Sequence, residues 1–230
     1  VVGIGTVTPV ASASAYERAA LHIHQAQGGS TGSQIHLTNA ATGAAAGNGV
    51  FIAMWSDDDL YITNQESDGN IKFASGGNAD VLGIDANGHV TMPKTSAFSA
   101  IPSSQQANFA INASVAIAFG TEVYDQNADF ASNAFTAPVT GKYVLNTSIR
   151  LSAVDSAADY YHIQIVTSNR SYQNIFDPDF GQDASYWMLT LSCLADLDAG
   201  DTAYVAIVQG GGTQQTDIEA QSHFSGYLAC

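Results

Sequence analysis

The chain has 230 residues, room for one large or two modest domains, and its hydrophobic share of 46% is enough to bury a core. Only 12% of residues are charged, about half the roughly 25% of an average soluble protein, and 21 acidic residues against 6 Lys and Arg leave a net charge of −15. That balance argues against nucleic acid and anionic membrane surfaces as partners, and no stretch approaches the ~18 unbroken apolar residues of a spanning helix.

In chain order, Val2-Gly3-Ile4-Gly5-Thr6-Val7-Thr8-Pro9 reads as a short apolar strand broken by glycines and stopped by proline. The chain starts at Val1 rather than Met, with no signal peptide, as a fragment or processed piece would. Residues 11–21 are alanine-rich and allow a helical turn or two without an apolar stripe to fix it. His22-Ile23-His24 places two imidazoles on one strand face; around a three-fold axis six nitrogens would suit a transition metal, the alternative being solvent-facing histidines.

Between residues 34 and 92 short strands are expected near Gln34, Gly49, Asp59, Asn70, Asp80 and His89. They are separated by turns such as Asp68-Gly69, Gly76-Gly77-Asn78 and Asn87-Gly88. Leu60 and Ile62 alternate with Tyr61 and Thr63. Strands this short bury little by themselves, so a homotrimer with each apolar face on the axis is expected to supply the core. Met92-Pro93-Lys94 ends this region, proline pushing Met92 towards extended backbone.

Further strands are expected near 107–112, 115–119, 133–136, 142–151, 158–166, 171–176, 185–194, 202–208 and 222–229. Within them, Phe135–Asn146 (FTAPVTGKYVLN) reads as strand, sharp turn and strand, with Gly141 expected at positive φ and Tyr143, Leu145 and Thr147 on one face. This stretch resembles the F-T-A-P-x-x-G-x-Y core motif of the complement-one-q heads, relatives of tumour necrosis factor. His223-Phe224-Ser225-Gly226-Tyr227-Leu228 resembles that family's closing strand, Ala199-Gly200-Asp201 with Tyr204–Ile207 its G-D turn and strand, and Phe98-Ser99-Ala100 its opening. The phrases V-G-I-G-T-x-x-P, L-T-N-x-x-T-G and D-L-Y-I-T-N resemble phage tail-fibre proteins.

The resemblances imply an all-β chain. A connector (1–33) and a short-strand β domain (34–95) precede a jelly-roll β-sandwich head (96–230), assembled as a homotrimer. Phe98, Phe119, Phe135, Tyr143, Phe224 and Tyr227 are then core or intersubunit residues. Family strand order keeps Cys193, expected as a small buried hydrophobe, apart from Cys230, so no intrachain disulfide is expected.

Function is sought in the polar, aromatic stretch 168–187. Arg170, Tyr172, Asn174, Asp177, Asp179, Phe180 and Asp183, with Tyr160 in the DSAADYY loop, form a candidate receptor-binding set. Aromatic faces stack on sugar rings, while amides and carboxylates bind hydroxyls. Phe176, Tyr186 and especially Trp187 are the competing core residues. Asp57-Asp58-Asp59 and Asp177–Asp183 offer hard oxygen ligands but lack the calcium-loop spacing, so each reads as a solvated turn or a cation site. No cofactor is required.

No nucleophile elbow, zinc-protease motif or phosphate loop occurs, so no enzyme is expected, although acidic pairs are too plentiful for a glycosidase pair to be ruled out by counting. The expected role is a fibre tip on the virion surface, joined to upstream fibre or virion proteins and binding a host cell-surface glycan. The rivals are a purely structural spike whose head is a trimerisation clamp, and a secreted bacterial adhesin or lectin.

Overall fold

The computed structural model describes residues 2–4, 21–25, 32–77 and 79–230. These are strands and connections with no helix. Residues 11–20 of the stretch 11–21 expected to form helical turns, most of the connector and Asn78 lie outside the described residues, while Leu21 begins a strand. Contacts divide the chain into two compact units, residues 1–92 and 93–230.

In the first unit β1 (Val2–Ile4) pairs in parallel with β2 (Leu21–Ile23). Two antiparallel three-stranded meanders follow: β3 (Ser33–Leu37), β4 (Val50–Met54) and β5 (Leu60–Asn64), then β6 (Ile71–Ser75), β7 (Ala79–Ile84) and β8 (Val90–Thr91). Each strand begins at or within a residue or so of the position its alternation marks, because Gly, Asn and Asp turns fix where pairing starts. Loop 38–49 is held by side chains: His36 Nε2 lies 2.6 Å from the Asn48 carbonyl, and the Gly49 amide donates to Glu66 Oε1 at 2.6 Å.

The second unit is a two-sheet sandwich. Its strands are β9 (Ala97–Ile101), β10 (Val115–Ala116), β11 (Thr121–Asp125), β12 (Phe130–Ala131), β13 (Ala134–Thr136), β14 (Gly141–Val154), β15 (Tyr160–Thr167), β16 (Ser171–Phe176), β17 (Ala184–Leu197), β18 (Thr202–Gly210), β19 (Asp217–Ile218) and β20 (His223–Leu228). One sheet runs β12-β13-β18-β15-β16 with β10 on β18. The other runs β11-β9-β20-β14-β17 with β19 on β14. Period-two burial drives this arrangement: Tyr143, Leu145, Ile149 and Leu151 of β14 face Tyr161, Ile163 and Ile165 of β15 and Val205 and Ile207 of β18, all fully buried.

The resemblance motifs meet in one cluster. Phe98 stacks on Phe135 (centroids 4.8 Å apart) and Phe130 (5.0 Å) and meets Phe224 edge-on at 5.0 Å, while Phe135 lies 5.3 Å from Tyr143. Gly226 passes beneath it, where a Cβ would stand 2.6 Å from Leu145 Cδ2 and 2.9 Å from the Phe98 ring.

Several expectations are corrected. Gly141 does not adopt positive φ; it is needed because a Cβ there would stand 2.7 Å from both the Cys230 carbonyl and a Leu228 methyl. Segment 107–112 is not a strand, since Asn108 and Asn112 take φ of 49° and 57° and only Phe109 is buried. Strands β9 (which carries the opening Phe98-Ser99-Ala100), β11, β12 and β19 are additions to the expected strands. Of the residues expected in the core or between subunits, Phe98, Phe119, Phe135, Tyr143 and Phe224 are core, whereas Tyr227 is half exposed on the outer face of its sheet and is left with the intersubunit alternative. Cys193 is only partly buried against the core, Cys230 is exposed, and both thiols are free.

Candidate functional site

Strand direction sorts the candidate residues. The chain enters the head at Ser96, whose carbonyl accepts from the Leu228 amide, while Lys142 pairs with Cys230. The turns around Arg170 and Asp198 lie at this same end, because Gly141 is registered with Leu197 and Thr167 with Ala203. At the opposite end Val154 meets Ala184, Tyr161 meets Phe176, and Tyr160 meets Gly210. Loops 155–159, 177–183 and 211–216 therefore cluster at the far end of the sandwich from the point of chain entrance.

Five candidates come together there: Tyr160, Asp177, Asp179, Phe180 and Asp183. Arg170 is not among them. It sits six residues before Phe176, roughly 20 Å along an extended strand, and pairs with Asp196 at 2.9 Å. Tyr172 and Asn174 lie between the two ends and turn inward. Asn174 Nδ2 donates to the Thr190 carbonyl at 2.9 Å, and the Tyr172 hydroxyl stands 3.5 Å from that of Leu194. With Asn169 Nδ2 on the Asp196 carbonyl (2.7 Å), they cover the free edge of β17.

At the far end an aromatic stack runs from core to solvent. Buried Tyr161 stacks on Phe176 (5.3 Å), which stacks on Trp187 (5.1 Å, interplanar 25°). Phe180 packs 5.0 Å from Trp187 and 6.0 Å from Phe176. Trp187 is 39% and Phe180 37% exposed. Trp187 is thus not the core residue expected: its register places it on the same side of β17 as buried Leu189, yet it stays partly exposed, with the Phe176 and Phe180 rings packed against it. Tyr186, on the opposite side of β17, is also exposed, with the Arg150 guanidinium 4.4 Å above its ring.

The loops beneath this ledge are pinned by carboxylates. Buried Asp155 accepts from the amides of Ala157 (2.9 Å) and Thr213. Asp183 accepts from the Ser156 amide (3.0 Å) and hydroxyl (2.9 Å) and from Gln215 Nε2 (2.8 Å). Those bonds, the Ser156 amide first and Gln215 next, hold its carboxyl below the ordinary range. The hydroxyls of Tyr161 and Thr216 are hydrogen-bonded at 2.7 Å, and burial pushes the Tyr161 pKa up. Tyr160 stacks on His162 at 5.7 Å. Asp177 and Asp179 are exposed beside Phe180.

The outward face of the second sheet has a different character. Val144 is registered with both Leu194 and Tyr227, giving a partly exposed apolar row across three strands, followed by a polar row in which Ser192 donates to Asn146 at 2.7 Å.

Among the described residues of one chain, neither Asp57-Asp58-Asp59 nor Asp177–Asp183 forms a cluster of three or more His, Cys, Asp or Glu side chains that could hold an ion. Asp57 is engaged by the Tyr61 hydroxyl at 2.5 Å. His24 follows the end of β2, and the side chain of His22 lies outside the described residues.

The C1q domain model matches residues 97–229, more than half of the chain and the whole of this sandwich. The chain belongs to the C1q-domain family. Among solved structures, the C1q head is similar to the globular domain of zebrafish complement 1qA protein at 17% identity. That match covers 60% of this chain and 98% of the other, with a TM-score of 0.44. It is also similar to murine APRIL at 12% identity, covering 59% and 99%, with a TM-score of 0.43. No curated protein matches the chain. C1q domains are generally non-enzymatic binding or trimerisation modules.

Proposed function

We propose that the chain is the tip of a phage fibre on the virion surface, a homotrimer whose C1q heads bind a glycan on the host bacterial surface. The observation that carries this reading is the aromatic ledge of Phe180 and Trp187, flanked by free carboxylates at the end of the head remote from chain entrance. An aromatic face offers a platform for the C–H side of a sugar ring, and Asp177 and Asp179 are acceptors for its hydroxyls. The pinned loops beneath them limit the entropy lost on binding. Three linked ledges turn weak contacts into durable attachment by raising effective concentration.

The shaft-like phrases of the first unit support placement on a fibre joined to upstream virion proteins. The structural-clamp reading is favoured by the apolar row of Val144, Leu194 and Tyr227, a surface on which copies can meet; the two roles use different faces and are compatible.

The test is a glycan screen with the intact chain, followed by Phe180→Ala and Asp179→Asn. Binding lost in both variants at unchanged native mass supports receptor recognition. Binding absent from the parent leaves the clamp, and binding retained in both variants overturns the ledge as the receptor site.

A further inference from the structure

Charge is distributed unequally between the two ends of the head. Loops 155–159, 177–183 and 211–216 hold five aspartates (Asp155, Asp159, Asp177, Asp179 and Asp183) and no Lys, Arg or His. Segment 102–114, bonded to them through Asn108 and Asn112, carries no charge at all. The basic residues of the head lie elsewhere. Lys94 and Lys142 sit at the end where the chain enters, as does Arg170, held by Asp196. Arg150 comes closest in register, opposite Met188, but it lies on the outward side of its sheet over the Tyr186 ring, away from Trp187. His162 likewise lies on the outward side of β15, stacked on Tyr160.

The carboxylates at this far end are not equivalent. Asp155 and Asp183 are consumed by loop amides, a hydroxyl and the Gln215 amide group. Asp177 and Asp179 are exposed, and among the described residues neither side chain has a hydrogen-bond or ion-pair partner. They are nonetheless held in place. Buried Pro178 separates them, and the Phe180 amide donates to the Pro178 carbonyl at 2.6 Å, closing a three-residue turn around Asp179. Phe176 precedes one and Phe180 follows the other, the two rings that pack on Trp187.

The exposed rings and the idle carboxylates ask the same thing of a ligand. Carboxylates accept hydrogen bonds and donate none, so the ligand must bring N–H or O–H groups. The face of an aromatic ring, Trp above all, attracts a cation. A neutral group that covers an unpaired carboxylate removes its hydration, whereas an ammonium replaces that hydration with a charge-assisted bond. An acidic sugar meets repulsion from both carboxylates, with no base at this end to offset it.

We propose that the ledge of Phe180 and Trp187 selects amino sugars whose amine is free and protonated, with Asp177 and Asp179 as partners of the ammonium group, and that it discriminates against acidic sugars such as uronates. The inference rests on the glycan reading of this ledge and adds the charge class of the ligand.

The experiment uses the full chain and one surface-bound glycan, a β-1,4-linked glucosamine tetramer, before and after N-acetylation, with a galacturonate tetramer alongside. It is run at about pH 6, where the aspartates are ionised. The parent is expected to bind the free amine at least about tenfold more tightly than the acetylated form, and galacturonate least. Added salt is expected to shrink that preference. Asp177→Asn keeps an acceptor oxygen without the charge and is expected to lose most of the preference. Glu122→Gln, an equal change of charge on the edge strand farthest from β17 in its sheet, is expected to keep it. Equal binding of the amine and acetylated forms by the parent overturns this inference and leaves the glycan reading standing. Preference unchanged in Asp177→Asn, or lost equally in Glu122→Gln, assigns it to the net charge of −15 and overturns the inference as well. If the parent binds none of the three, the inference falls, and the wider glycan screen decides the reading beneath it separately.

Discussion

Asn174 reaches from one sheet of the head to the other, its amide 2.9 Å from the Thr190 carbonyl on the outermost strand. Together with Tyr172 and Asn169 it occupies acceptors that an incoming strand would otherwise use. Asn174→Ala is therefore expected to lose about 1 kcal/mol, the net worth of one hydrogen bond, in a urea titration, and to bind glycan as the parent does. Loss of glycan binding at full stability would return Asn174 to the receptor-contacting set.

Alternation along β16 shows where sequence reasoning stopped. It groups Tyr172, Asn174 and Phe176 against Ser171, Gln173 and Ile175, but each set mixes polar and apolar residues. Hydropathy therefore cannot decide which face is inside, and the fold leaves Ile175 in solvent and turns Asn174 inward. Trp187 was equally opaque, because nothing local reveals that an inward-facing tryptophan near the start of β17 stays partly exposed. The meanders were legible because a clean two-residue period lies between Gly and Asn turns. The head was legible because Phe98, Phe135, Tyr143 and Phe224 form one cluster whose spacing tolerates little change. Edge strand β11 was missed: its exposed Val123 and Tyr124 carry no inward signal.

Tyr143 is buried at the foot of that cluster, its ring against Phe135 and its hydroxyl donating 2.7 Å to the Val139 carbonyl. Tyr143→Ala is expected to cost roughly 3–5 kcal/mol, enough to unfold the head near physiological temperature or dissociate the assembly. Tyr143→Phe keeps the ring and is expected to cost about 1 kcal/mol, the hydrogen bond alone. Thermal unfolding of both variants checks the difference; an unshifted melting temperature in Tyr143→Ala would contradict this packing.

Asp183 gives the far end a pH signature. Its pKa lies below the ordinary 3.8 because the ionised carboxylate accepts from Ser156 and Gln215. A carboxylate depressed in the folded state contributes stability above its unfolded pKa and loses it as pH falls through the folded value. Loops 155–159, 177–183 and 211–216 are expected to loosen together only below about pH 4, near the usual aspartate pKa. Trp187 fluorescence reports the change, although Trp55 requires a Trp55→Phe background. Asp183→Asn is expected to flatten this acid transition; an unchanged profile would assign it elsewhere.

The two thiols are expected to differ sharply in reactivity. Burial against the core raises the Cys193 pKa to about 11, whereas Cys230 is exposed at the chain end. Since the thiolate is the reactive form, only about one Cys193 in a thousand is ionised at pH 8. Iodoacetamide at that pH should modify Cys230 within minutes and leave Cys193 until the head is unfolded, as peptide mass mapping can follow. Cys193 sits opposite Leu145 on the paired strand, on the inward side of β17, so its protection also reports whether the sandwich stays closed. Equal labelling of both cysteines under native conditions would mean that β17 separates from the core on the timescale of the reaction, and the edge contacts of Asn174 and Tyr172 would then contribute too little to hold it.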